Sequence, residues 1–343
     1  MNKKQAVTQQ RIAQDLRLSQ TLVSKVLNHK QKNIPEKTCR RIWDHAQKIG
    51  YRPRGMLFKF PATNVGFILR HGLRLHTQSQ FWSQVQHGMH TCLLAQGYHS
   101  VFLGSEDELD PQKIQERLRS QQFVGLAILG QVDEGFLKAI KAVQPNLVTI
   151  SVSYPGLCHS VMPNEKQALS LLVEHLTELG HRQFAWLGGD RGLTYNLRRH
   201  DALIEVLSQH GLKLSDKFAV NVESGGWLSG WKACEIMLGQ ISRKCFPTAW
   251  VCTSGLIARG VINCLSQNGW RVPKDISVVA VDAARVCVEE HPQLTSAHAD
   301  PEKIGQTAAE LLLKRGERND QDLFDVVLSS HLTVRESSAE AAH

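Results

Sequence analysis

Eight cysteines stand at 39, 92, 158, 234, 245, 252, 264 and 287, and no two of them form a C-x-x-C pair. That scatter excludes a disulfide frame and a zinc finger, and fits reduced, mostly buried thiols. No apolar run approaches the roughly 18 residues of a membrane span. The opening MNKKQAVTQQ lacks the apolar stretch of a secretory signal, so the expectation is a cytoplasmic chain without a membrane partner. There is no G-x-S-x-G, no P-loop and no H-E-x-x-H. The glycine-rich Gly188–Gly192 lacks a dinucleotide fingerprint, and His87 and His90 have no carboxylate partner that the sequence can name. The expectation is therefore no enzyme, no catalytic residue, no cofactor and no metal.

Acidic residues are scarce at one end. Residues 1–60 hold fourteen Lys and Arg against three Asp and Glu, while the remainder holds 26 against 29. A basic head on a near-neutral body suggests a polyanion-binding module attached to a larger domain. The bland alternative is a solvated basic face. At 343 residues the chain is long enough for two or three domains.

The head carries TQQRIAQDLRLSQTLVSKVLN over residues 8–28. Ile12, Ala13 and Leu16 share one helical face, as do Val23, Val26 and Leu27. Between them Leu18-Ser19 breaks the pattern, and Ser19 is a helix cap. Two short helices joined by a tight turn form a helix-turn-helix. The outward face of the second helix carries Gln20, Thr21, Ser24, Lys25 and Asn28, groups that read base edges and hold phosphates. A helical hairpin that only packs would show the same apolar spacing. Pro35 then opens a third helix, with Cys39, Ile42, Trp43, Ala46 and Ile49 as its stripe, ending at Gly50.

From Asn64 onward strands alternate with helices. Strands are expected at 65–69, 100–103, 124–129, 147–151, 181–187, 218–222, 249–252 and 276–281. Helices are expected between them, at 81–96, 111–120, 134–143, 164–179, 198–210, 228–238 and 256–269. Such alternation means parallel sheets with helices on both faces. Two runs of it suggest two doubly wound lobes with a ligand crevice between them.

Val7-Thr8, LSQTLVSKVLN and KIGYRP (Lys48–Pro53) together resemble the headpiece of the lactose-repressor/galactose-repressor family of bacterial regulators. EHLTELGHRQFAWLGG (Glu174–Gly189), GWRVPKDISVVAVD (Gly269–Asp282), PQLTSAHADPEKIGQTAAELLL (Pro292–Leu313) and LTVRES (Leu332–Ser337) are similar to later stretches of the same family. The resemblance covers about residues 7–338. It implies an α/β fold with an N-terminal helix-turn-helix headpiece and a two-lobed, periplasmic-binding-protein-like core of doubly wound parallel sheets. Headpiece and hinge would occupy residues 1–61, and an effector-binding, dimerising core 62–340. Lobe 1 would take about 62–160 and 291–322, lobe 2 about 161–290 and 323–340, with crossings near 160, 290 and 322.

The resemblance also implies function. The chain would be a homodimeric, sequence-specific transcription regulator, a repressor as is commonest in the family. It would bind a pseudo-palindromic double-stranded operator, with a small polar, sugar-like effector between the lobes. Two alternatives remain open: a DNA-binding regulator without effector, and a small-molecule-binding protein of the periplasmic type. The DNA-binding set is Thr8, Arg17, Ser19, Gln20, Thr21, Ser24, Lys25, Asn28, Arg54, Leu57 and Phe60. Arg17 stands where the family has Gly, at a turn that wants a positive φ. Leu57 and Phe60 are rival minor-groove wedges. Gly55, Pro61 and a span about three residues short weaken a hinge helix there, and packing of headpiece on core is the competing role. The effector set is Phe81, Trp82, Asn164, Arg199, Trp227, Thr253 and Asp282, with Arg198 the rival of Arg199. Thr253-Ser254 replaces the usual Asn-Asp and Ala283 the second acid of an Asp pair, which argues against an ordinary hexose.

Overall fold

The structure, a computed structural model, describes residues 8–27, 34–49, 51, 63–71, 80–120, 123–223, 225–243, 245–317 and 322–341. Asn28, Arg54, Leu57 and Phe60, and with them the hinge, lie outside the described residues. The chain divides into two compact units, residues 1–60 and 61–343.

In the first unit α1 (Gln9–Leu16), α2 (Gln20–Leu27) and α3 (Glu36–Lys48) bury one small core. Ile12, Val23, Val26 and Ile42 are fully buried in it. Thr8 caps α1, accepting from the Arg11 N–H at 3.3 Å. Ser19 caps α2 through the Leu22 N–H at 3.2 Å. The α1 end is a Schellman turn: Arg17 adopts φ 53°, ψ 46° and the Leu18 N–H reaches the Ala13 carbonyl at 2.9 Å. Arginine there costs on the order of 1 kcal/mol relative to glycine. The Arg41 guanidinium donates to the Leu16 carbonyl at 2.9 Å, and the His45 ring meets Asp15 at 2.8 Å, tying α3 to α1.

The second unit is two lobes built alike. The first sheet runs in the order β11 (Asp325–Leu328), β5 (His159–Pro163), β4 (Leu147–Ile150), β3 (Phe123–Leu129), β1 (Asn64–Leu69), β2 (His99–Ser105), all parallel. The second runs β12 (His331–Thr333), β10 (Thr295–His298), β9 (Ser277–Ala280), β8 (Ala249–Cys252), β6 (Phe184–Gly188), β7 (Ala219–Asn221). It is parallel except for β12 on β10. Central strands such as β4 and β8 are buried at every residue, as apolar runs covered on both faces must be. Lobe 1 is covered by α4 (Gln80–Ala95), α5 (Pro111–Ser120), α6 (Glu134–Lys141) and α11 (Pro301–Glu317). Lobe 2 is covered by α7 (Glu165–Glu178), α8 (Thr194–Gln209), α9 (Trp227–Leu238) and α10 (Gly255–Gln267).

The chain crosses between lobes at Asn164, at 299–300 and at 329–330. The last two crossings correct the expected lobe limits near 290 and 322. Residues 295–298 form a buried central strand of the second sheet, and 325–328 an edge strand of the first. TSAH carries no strand signal of its own, and DVVL, though it holds two β-branched valines, is only four residues long and half-exposed. The strand expected from His181 begins at Phe184. His181 is instead a buried tie, its ring bonding Thr248 at 2.8 Å, and Ser277 and the Ala339 carbonyl at 3.0 Å each.

Candidate nucleic-acid interface and interlobe site

In the first unit the two N-caps fix the start of α1 and α2, and the buried stripe turns the opposite face of α2 outward. Gln20, Thr21 and Lys25 are exposed on that face, with Arg17 exposed at the turn before it. Ser24 is half-buried. A pair of amide and hydroxyl groups followed one turn later by a cation is suited to base edges and phosphate. Thr8 and Ser19 accept the cap N–H groups through their hydroxyl oxygens, which keep their own O–H as a donor.

In the second unit the expected effector residues gather around the crossings, and most are already engaged. Arg199, on α8, is 7% exposed. Its Nε and Nη2 donate to the two carboxylate oxygens of Glu165 at 2.8 and 2.9 Å. Its Nη1 donates to the Thr253 carbonyl at 2.6 Å and the Val281 carbonyl at 3.3 Å. Nη2 also donates to His298 Nε2 at 2.9 Å. A guanidinium has five N–H groups and accepts nothing, so all five are used. Because Arg199 can only donate, His298 Nε2 is an acceptor, and its Nδ1–H donates to the Ala299 carbonyl at 2.9 Å. The ring is therefore neutral.

Burial pushes the His298 pKa below the ordinary imidazole value, Glu165 opposing and Arg199 reinforcing the shift. Burial also works against the charge of Arg199, but the Glu165 carboxylate beside it outweighs that, and its pKa lies above the ordinary value. Arg198, the rival, points its Nη1 at the Met162 sulfur at 3.3 Å.

Asp282 is also engaged, through one hydrogen bond to each oxygen. One oxygen accepts from the Gly255 N–H at 2.8 Å and the other from the Ala284 N–H at 2.7 Å, so it braces the start of α10. Thr253 donates to Asn196 at 3.0 Å. Asn164 caps α7 through the Gln167 N–H at 3.0 Å. Phe81 packs against the cores of both lobes, edge-on to His298 at 5.3 Å and to Trp82 at 5.2 Å. It is a joint between lobes. Trp227 is 37% exposed and lies tilted against Trp231 at 5.5 Å. Phe81, Arg199, Asp282 and Thr253 converge; Trp227 opens α9, apart from the Arg199 cluster.

Sequence reading missed Glu165, His298, Gln131 and Gln80. Gln131, after β3, accepts from the Thr194 N–H at 2.9 Å and its hydroxyl at 2.6 Å, so lobe 1 caps a lobe 2 helix. Gln80 donates to Glu289 across the lobes at 2.7 Å. An acid beside a helix cap, a histidine in a polar strand, a loop glutamine and a glutamine opening a helix look like surface residues in sequence. Their partners are remote in the chain. Polar side-chain atoms left buried without a partner include Arg70 Nε, Ser151 Oγ, Gln80 Oε1 and Gln84 Oε1, all in lobe 1. A cavity of about 430 Å³ adjoins His298, lined by Gln84 and Glu302 of lobe 1 and by Asp282, Ser296, Thr333 and Arg335 of lobe 2. Among the described residues no cluster of His, Cys, Asp and Glu could hold a metal, and no helix is long and apolar enough to cross a membrane.

Residues 173–338 match the family described as a periplasmic binding protein-like domain. The chain is 28% identical to the HTH-type transcriptional repressor PurR of Aliivibrio salmonicida, over 87% of this chain and 89% of that protein. It is likewise 28% identical to catabolite control protein A of Staphylococcus epidermidis, over 94% of this chain and 97% of that one. The structure of the lac repressor dimer bound to operator and the anti-inducer ONPF superposes with a TM-score of 0.75, at 23% identity, covering 98% of this chain and all of that one.

Proposed function

We propose that the chain is a member of the lactose-repressor/galactose-repressor family and a cytoplasmic, sequence-specific DNA-binding repressor, active as a homodimer on a pseudo-palindromic operator. The observation that carries the reading is the exposed Gln20-Thr21-Lys25 face on a capped helix-turn-helix within a strongly basic head. The basic residues give sequence-independent affinity for phosphate, and the amide and hydroxyl give base preference. A small ligand between the lobes acts by preferring one lobe arrangement to the other, which shifts the population competent for DNA. The finer expectation is a small polar, sugar-like ligand. A second reading, a repressor that needs no ligand, is favoured by one observation: Arg199 and Asp282 already have protein partners.

The test is selection of genomic fragments by the full chain, followed by binding at several salt concentrations. Removing residues 1–60 should abolish binding. Lys25→Ala should weaken all fragments and flatten the salt slope by about one, and Gln20→Ala should relax base preference by roughly 1–3 kcal/mol. Equal binding by the truncated chain would overturn the reading.

A further inference from the structure

The carboxylate of Glu165 meets Arg199 side-on, through two hydrogen bonds of 2.8 and 2.9 Å, as a bound carboxylate ligand would. Both side chains are nearly removed from water, at 9% and 11% exposure. The remaining donors of Arg199 end on two main-chain carbonyls and on neutral His298. We infer that Glu165 is a built-in occupant of Arg199, and that it is the residue that denies this guanidinium to acidic effectors.

The physical argument is one of charge and of donors. Arg199 and Glu165 neutralise each other in a nearly dry site, with an uncharged imidazole as third member. A second carboxylate arriving there would find no free N–H on Arg199 and would stand beside a buried anion of the same sign. In a low-dielectric site that repulsion is weakly screened. An acidic ligand must therefore displace Glu165 to reach this guanidinium, whereas a neutral one meets no such repulsion. Position adds a consequence. Glu165 is the first residue of α7, directly after the crossing at Asn164, and His298 is the last residue of β10, directly before the crossing at 299–300. Displacing Glu165 would disturb two of the three connections between lobes. The inference rests on the interlobe ligand site of the proposed function, but its first test does not need DNA.

Glu165→Ala removes Cγ, Cδ and both carboxylate oxygens, the heavy-atom complement of acetate. The full-length variant should melt several degrees below wild type in chloride buffer. Replacing chloride by acetate at equal ionic strength should restore most of that loss in the variant and leave wild type unchanged. Glu165→Gln, which fills the space without the charge, should be destabilised but not rescued. Glu165→Ala combined with Arg199→Met, which removes both charges, should also give no acetate response. If Glu165→Ala fails to fold in chloride, refolding yield in acetate is the readout, and recovery supports the assignment. Equal acetate stabilisation of wild type and variant, or no acetate response in the variant, overturns it. Operator binding measured in parallel separates the two claims: rescue of melting in a chain that binds no DNA would sink the repressor reading alone.

Discussion

The two sheets repeat one strand order, β2-β1-β3-β4-β5-β11 in lobe 1 and β7-β6-β8-β9-β10-β12 in lobe 2. Only the last strand differs, parallel in the first and antiparallel in the second. Each lobe also receives one helix from across a crossing: α11 packs beside α4, and α7 beside α8. The equivalent pairs are held by different physics. In lobe 1, α4 and α11 meet backbone to backbone, since a Cβ on Gly88 would stand 2.0 Å from the Glu302 carbonyl oxygen and one on Gly305 1.9 Å from that of Val85. In lobe 2, the α7 and α8 pair carries the Glu165–Arg199 ion pair. The close glycine crossing moves to the other side of the sheet, between α9 and α10, where Gly230 and Gly260 each come as near to a carbonyl. The polar groups differ accordingly. Lobe 2 uses its cleft groups to brace itself, and lobe 1 keeps Arg70, Ser151, Gln80 and Gln84 with unpartnered atoms. One architecture thus closes its polar groups on one another in lobe 2 and leaves several of them without a partner in lobe 1.

The sharpest way to break this comparison is at the glycines. Gly305→Ala should disrupt lobe 1 and Gly260→Ala lobe 2. Alanine gains about 1 kcal/mol over glycine as a helix former. Here, however, the new methyl meets main chain rather than a movable side chain. The loss should exceed the about 1–3 kcal/mol of ordinary overpacking. Denaturant unfolding gives the size, and hydrogen exchange gives the place: faster exchange in β1 and β3 for Gly305→Ala, and in β8 and β9 for Gly260→Ala. Wild-type stability in either variant would mean that the helices are not in main-chain contact.

How much of this was legible in the sequence follows from which signals are local. The helix-turn-helix is built from neighbours: Thr8 and Ser19 cap within three residues, and the apolar stripe has one period. The alternating core was legible for the same reason, since runs such as FVGLAIL announce a buried strand. β10, TSAH, announces nothing, because three of its four residues are polar and their partners lie on β12, α8 and the chain end. That is also why the crossings were misplaced. Arg199 and Asp282 are expected from the resemblance as effector contacts, and no local signal hints that Glu165, 34 positions before Arg199, and the Gly255 N–H, 27 before Asp282, engage them. Position in a fold is encoded locally; occupancy of a side chain is encoded by partners far along the chain.

A milder contrast between lobes is their response to acid. His175, His181 and His298, all on the second lobe, have pKa values lowered chiefly by burial. In the unfolded chain they titrate near 6.5. Below that pH the unfolded state binds protons that the folded state refuses, so stability is full above about 6.5 and falls as pH drops toward the lower folded values. Lobe 2 should therefore loosen as pH falls below about 6.5, read as faster hydrogen exchange in β9 and β10 after correction for the intrinsic rate. His298→Gln, which keeps an acceptor for Arg199 but does not titrate, should flatten the dependence. A slope unchanged in that variant would remove His298 from the explanation.

The smallest expected effect lies at the seam. α8 begins at Thr194, and Leu193 before it supplies no side-chain cap. The first N–H of the helix finds its acceptor on Gln131, which belongs to the other lobe. A helix cap contributes about 1 kcal/mol, and here that amount is conditional on the lobes being closed. Gln131→Ala should lower the melting temperature by only a few degrees, because water can reach the half-buried Thr194 amide. Its local signature should be larger: amide exchange at Thr194 should rise severalfold while exchange in the β6 and β8 core stays unchanged. Gln131→Glu preserves the acceptor and should restore protection. If Thr194 exchanges at the wild-type rate in Gln131→Ala, the cap from lobe 1 does not persist in solution, and the start of α8 must be held by lobe 2 alone.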